Sequence, residues 1–179
     1  MSAIVHGILR KIKRSPQVLM ATLPIGKPRP LWQVIVLSLA TLMLYYGYYK
    51  WVIQEELRRY NGYGWSGTLC LLPFVLGVAV PQALAFFDPD VPEWFRWFSF
   101  AGIAWIYVVQ FKLYKTVNAL YCQSGIKEPL VIWWMFVPGL NLAVGLRQIH
   151  FLSQFWADQQ GETVNDPIAK LFPFLSGNA

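Results

Sequence analysis

The sequence is short of charge. Asp, Glu, Lys and Arg make up 13% of its 179 residues, well below the roughly 25% usual in soluble domains. It has nine carboxylates, two histidines and two cysteines, Cys70 and Cys122. Two cysteines are too few for a disulfide scaffold, and no Cys-x-x-Cys or His-x-x-x-His spacing occurs, so no metal site is expected. No glycine-rich phosphate loop, no Ser-His-Asp set and no paired Asp motif for lipid-headgroup transfer is present. The expectation is therefore a protein that is not an enzyme and calls for no cofactor. Disorder is excluded from the other direction, since 56% of the residues are hydrophobic and 17% aromatic, at a mean hydropathy of +0.40.

That apolar excess is segmented. A transmembrane helix needs about 20 predominantly apolar residues, and four such stretches are expected as spans, at about 31–53, 65–87, 94–116 and 129–152. All nine carboxylates fall outside the apolar cores of these stretches. Trp32, Trp51, Trp65, Trp94, Trp97 and Trp156 lie near segment ends, as an aromatic belt requires. Pro73 and Pro81 are expected to bend the second span, and Pro138-Gly139 to kink the fourth.

The predicted fold class is all-α, a polytopic membrane bundle of four transmembrane helices. Ahead of it, residues 1–30 read as a basic amphipathic surface helix and a proline-rich linker. Ile4, Ile8 and Ile12 with Val5 and Leu9 form one apolar stripe, and Arg10, Lys11, Lys13 and Arg14 take the other faces. Those four cations, with Arg147 at the end of the fourth span, are the candidate interfacial or lipid-headgroup residues, and an anionic bilayer surface is the expected partner. Residues 159–179 read as a polar, interfacial tail. Four spans put both termini on one side, where nine Lys and Arg stand against six on the other. Cytoplasmic termini follow, in a bacterial inner membrane or a thylakoid-like one.

The two halves of the chain also align with each other. A shift of 63 residues places Tyr48 on Phe111, Trp51 on Tyr114, Leu57 on Leu120 and Gly62 on Gly125, and a shift of 65 places Pro73 on Pro138. Two parallel two-helix repeats would give this pattern; chance similarity between two aromatic hairpins is the alternative.

The run Tyr45, Tyr46, Gly47, Tyr48, Tyr49, Lys50 and Trp51, followed by an acidic turn, and the later Pro138, Gly139 and Asn141 resemble an uncharacterised bacterial family, a domain of unknown function made of small paired-helix integral membrane proteins. The resemblance covers residues 31–150 and implies no activity.

The apolar cores of the expected spans carry no Asp, Glu, Lys, Arg or His, which argues against ion-coupled transport. The polar residues there are Gln33, Ser38, Thr41, Gln82, Gln110 and Asn141. Amides at such positions usually bond between helices and fix bundle register. Gln33, Thr41, Gln82, Gln110 and Asn141 are the candidate polar bundle or pore residues. The function expected is non-catalytic: binding or organising another membrane component, as a homo-oligomer or with another membrane protein, and with no nucleic acid. A small oligomeric transporter or channel is the first alternative, and pigment or quinone binding the second. The second rests on 30 aromatic residues, more than two interfacial belts use.

Overall fold

The structure is a computed structural model and describes residues 26–87, 92 and 94–176. All regular secondary structure among them is helical. The expected amphipathic helix, with Arg10, Lys11, Lys13 and Arg14, lies outside the described residues.

The 31–53 stretch forms two helices rather than the single expected span. α1 runs Leu31–Ala40 and α2 runs Leu44–Asn61. Between them Leu42 and Met43 take left-handed φ values of 48° and 70°, a conformation costing a non-glycine residue roughly 1–2 kcal/mol. The turn is stitched by its own hydrogen bonds. Met43 N–H donates to the Ser38 carbonyl at 2.7 Å and Leu42 N–H to that of Leu39 at 3.2 Å, which closes the end of α1. Thr41 Oγ1 donates to the Leu37 carbonyl at 2.7 Å and accepts from Tyr45 N–H at 2.9 Å, joining the last turn of α1 to the first of α2. Leu42, at 88% exposure, forms the tip.

The second stretch is one continuous helical run. Ser66 Oγ accepts from Leu69 N–H at 3.1 Å to start α3, Gly67–Phe74. A π turn, Val75–Ala79, leads into α4, Val80–Phe87. Pro81 has no N–H to give, and the π turn between the two prolines absorbs the change of register without ending the helix. The 21 residues Gly67–Phe87 extend about 30 Å. They are the one helical run among the described residues long and apolar enough to cross a membrane.

α5, Trp94–Gln123, runs antiparallel to this helix for its first half. The crossing point is Gly77 against Gly102: a Cβ on Gly77 would lie 2.9 Å from the Phe98 carbonyl oxygen and 3.0 Å from Gly102 Cα. Small residues here let the two backbones touch.

The fourth stretch also departs from a single span. It comprises a 3-10 turn, Ile132–Phe136, and then α6, Leu140–Gln160, whose start is set by Gly139 at φ 85°. Pro138-Gly139 is therefore a helix boundary and not a kink. The short α7, Pro167–Leu171, and α8, Pro173–Ser176, fold the expected interfacial tail back onto α6 and α1, with Ala169 and Leu175 buried.

The core lies at the end of the molecule away from the hairpin that the α3–α4 run makes with the first half of α5. Ile53 and Leu57 of α2 pack there with Leu113, Val117 and Leu120 of α5 and Leu152 of α6. It also holds polar groups, several of them tied to backbone or to a partner. Arg29 forms a two-pronged pair with Glu56 at 2.7 and 3.0 Å. Burial works against the Arg29 charge, but the Glu56 hydrogen bond and charge outweigh it and raise its pKa. Asn118 bonds both N–H and carbonyl of Leu130 at 3.0 and 2.8 Å. Arg147, expected at the lipid surface, is 6% exposed. It donates to the Pro129 carbonyl at 2.7 Å and to that of Phe174, fastening the tail to the start of the fourth segment.

Asp166 Oδ2 accepts from Leu31 N–H at 2.8 Å and lies 3.4 Å from His150 Nδ1. It thereby caps α1 from a residue far along the chain, at the helix end where a carboxylate is favoured. Burial lowers the His150 pKa below its ordinary value; Asp166 opposes the shift and Arg147 adds to it. A depressed histidine pKa favours the neutral form in the fold, so this contribution to stability is intact above the unfolded value of about 6.5. It is lost as pH falls from there through the folded pKa. We expect the unfolding midpoint in detergent to drop on acidification below pH ~6.5, and His150→Gln, which cannot titrate, to flatten that part of the profile. An unchanged profile in the variant would remove His150 as its source.

Candidate lipid-binding groove

The joint between core and hairpin is built by residues around the start of α3. Glu55 accepts from Gly67 N–H at 2.8 Å, and Trp51 Nε1 donates to Thr68 Oγ1 at 3.2 Å, fixing α3 against α2. Gly67 is required at this approach, because a Cβ would lie 2.4 Å from the Trp51 carbonyl oxygen. The joint thus places Trp65 on α5, where it stacks on Trp105 with ring centres 5.2 Å apart and planes 1° from parallel. Trp105 Nε1 donates to the Leu69 carbonyl at 3.3 Å.

Beside this stack α2, α5 and the 3-10 turn enclose an open groove of about 930 Å³. Its cations are Arg58, Lys112 and Lys115, and no carboxylate lines it among the described residues. Lys112 Nζ sits 3.5 Å from the Trp65 ring centre, and Lys115 Nζ lies 5.4 Å from that of Phe111. The rings hold both ammonium groups by cation–π attraction while leaving their N–H donors available. One turn and more along α5, the wall becomes apolar: Tyr107 and Val108 face Trp133 and Phe136 of the 3-10 turn. Tyr107 stacks on Phe136 at 6.3 Å and Phe111 meets Trp133 edge-on at 6.4 Å. The groove therefore has a cationic end and an aromatic end, and an elongated anionic amphiphile satisfies both.

None of the polar residues proposed from sequence lines this groove. Gln110 and Asn141 come together in a separate, neutral cavity. Thr41 is spent on the backbone of the α1–α2 turn. Gln82 is exposed on the outside of α4, and Gln33 is half-buried at the start of α1. The five do not meet along one path. Lys50 turns inward and donates to Gln110 Oε1 at 3.2 Å and Gln148 Oε1 at 2.8 Å. Sequence reasoning passed over the groove's Arg58, Lys112 and Lys115 as ordinary flanking charges. Their signal was present: three cations within two polar turns, next to Trp65 and Phe111. Gly62 and Gly125, paired by the internal alignment, do take matching roles, ending α2 and α5 with φ of 74° and 75°.

No family model, curated protein or solved structure matches this chain.

Proposed function

We propose that this is a non-catalytic membrane protein that holds an anionic phospholipid at one membrane interface and so organises the lipid around it. The observation that carries the reading is the order of chemistry along the groove. Cations lie beside Trp65, where the apolar run Gly67–Phe87 begins, and aromatic side chains lie on the far side of them. A lipid phosphate lies at the same level in a bilayer, with its acyl chains beyond it.

The same ordering supports a membrane arrangement for all four apolar segments. α3 and α4 cross, and the apolar first half of α5 returns beside them. The tip at Leu42 and Met43 and the 3-10 turn dip in only near the interface, since both border Tyr107, close to the Trp65–Trp105 stack. The core, with its Arg29–Glu56 pair and Asp166, stays on the aqueous side, and two crossings return the chain to that side. A channel lined by Gln33, Thr41, Gln82, Gln110 and Asn141 gains no such support, because only Gln110 and Asn141 of the five line a common cavity.

Native mass spectrometry of the protein titrated with phosphatidylglycerol or phosphatidylcholine tests the assignment. One phosphatidylglycerol is expected to remain bound when phosphatidylcholine has dissociated. A charge near the surface contributes about 1 kcal/mol to such an attraction, so Lys112→Ala with Lys115→Ala is expected to weaken retention roughly 30-fold. Equal retention of the two lipids, or no change in the double variant, would overturn the proposal.

A further inference from the structure

A second cavity, of about 470 Å³, lies across Tyr107 from the groove. Its walls come from α1, α2, α5 and α6, and it opens beside Leu39, Met43 and Leu142, all exposed apolar side chains. Entry is thus from the side taken above to face lipid. Among the described residues no charged side chain lines it, so neither a phosphate headgroup nor a free ion finds a counter-charge there.

The polar groups that do line it are neutral and can donate hydrogen bonds. Ser38 on α1 is 5% exposed, and its hydroxyl has no partner among the described residues. Gln110 on α5 gives its carbonyl oxygen to Lys50. Lysine can only donate, so that bond fixes the amide orientation and leaves the Gln110 NH₂ as a donor. Asn141 on α6 supplies a further amide, and Tyr46, Tyr107 and Tyr114 supply flat walls. A buried hydroxyl without a partner carries a penalty unless something in the cavity bonds to it.

From this we infer that the cavity binds a neutral lipid with a flat head and acceptor oxygens on two edges, the chemistry of a benzoquinone carrying an apolar tail. Donors on separate helices reach separate edges of such a head, whereas an alcohol or glyceride head offers its oxygens at one end. The apolar opening receives the tail. This site is independent of the cationic groove, since it asks for no charge and shares only the Tyr107 side chain with it.

The test is the shift in unfolding midpoint of the detergent-purified protein on addition of decyl-benzoquinone, with dioctanoylglycerol as the comparison. A saturable upward shift with the quinone and none with the glyceride is expected. Ser38→Ala removes the unpartnered hydroxyl, so the ligand-free variant is expected to unfold at or above the wild-type temperature while binding the quinone about tenfold more weakly, the loss of one hydrogen bond. A purely structural Ser38 would not move these two readouts in opposite directions. Gly145→Leu fills the cavity from α6. A Cβ there meets only Tyr114 Oη, at 3.6 Å, so the fold accommodates it, and the quinone shift is expected to vanish. The inference is overturned by the absence of a saturable quinone shift in the wild type, by an equal shift with the glyceride, or by wild-type quinone affinity in both variants.

Discussion

Gly77→Leu is expected to lower the unfolding midpoint in detergent by roughly 6–12 °C, the shift that about 3 kcal/mol produces in a chain of this size. The cause is contact between main chains. At Gly77 a Cβ would meet the Phe98 carbonyl and Gly102 Cα within 3.0 Å, and at Gly102 it would meet Val78 Cγ2 at 2.8 Å. Backbone cannot rotate aside as a side chain does, so the α3–α4 run and α5 have to separate, and overpacking of this kind costs about 1–3 kcal/mol. Lost contact along the hairpin places the effect at the upper end. Gly47 gives the opposite sign. A Cβ there meets nothing within 4 Å, so Gly47→Ala is expected to raise stability by up to about 1 kcal/mol through helix propensity. Thermal unfolding of both variants by circular dichroism checks the pair. A Gly77→Leu protein that melts with the wild type would show that the two helices do not touch at this crossing.

Asp166→Ala is expected to cost about 3 kcal/mol. It leaves Leu31 N–H buried without its acceptor, takes the negative charge from the start of α1, and frees His150 from the carboxylate 3.4 Å away. The tail then loses the Asp166 fastening and keeps that of Arg147 on the Phe174 carbonyl. Asp166→Asn retains a carbonyl oxygen that can accept from Leu31, so its loss is expected to stay below about 1.5 kcal/mol. Denaturant unfolding separates the two, with limited proteolysis of the tail as a second readout. Equal destabilisation by both substitutions would mean that the charge, and not the cap, holds the tail.

The helical class was legible in composition alone, and the second apolar stretch proved a helix over its expected range because Ser66, the charge-free run and the small residues all agree there. The first and fourth stretches misled for a specific reason. Hydropathy records how apolar a segment is but not whether its chain turns back, and the turn at Leu42 and Met43 uses neither glycine nor proline. The fourth stretch reads as a span because the run from Pro129 to Leu146 carries no charge, and Arg147 and His150 follow at its end. Their burial depends on Pro129, Asp166 and Phe174, contacts made only after the tail folds back. For the same reason the candidate pore residues could not be grouped from sequence: Gln110 and Asn141 share a cavity, whereas Thr41 is spent on the turn between α1 and α2. The groove's cations were visible, and their grouping was not, since Arg58 and Lys112 come together only through the hairpin.

The parallel stack of Trp65 on Trp105 has an optical consequence. Two indoles held face to face at 5.2 Å share their electronic excitation, and the near-ultraviolet circular dichroism of such a pair differs from that of two isolated rings. One ring precedes α3 and the other belongs to α5, so the signal exists only while the start of α3 is closed against α5. Seven other tryptophans contribute background, yet Trp65→Phe subtracts the coupled band alone. The protein thus carries an intrinsic spectroscopic gauge of the joint between core and hairpin, placed beside the groove's cations.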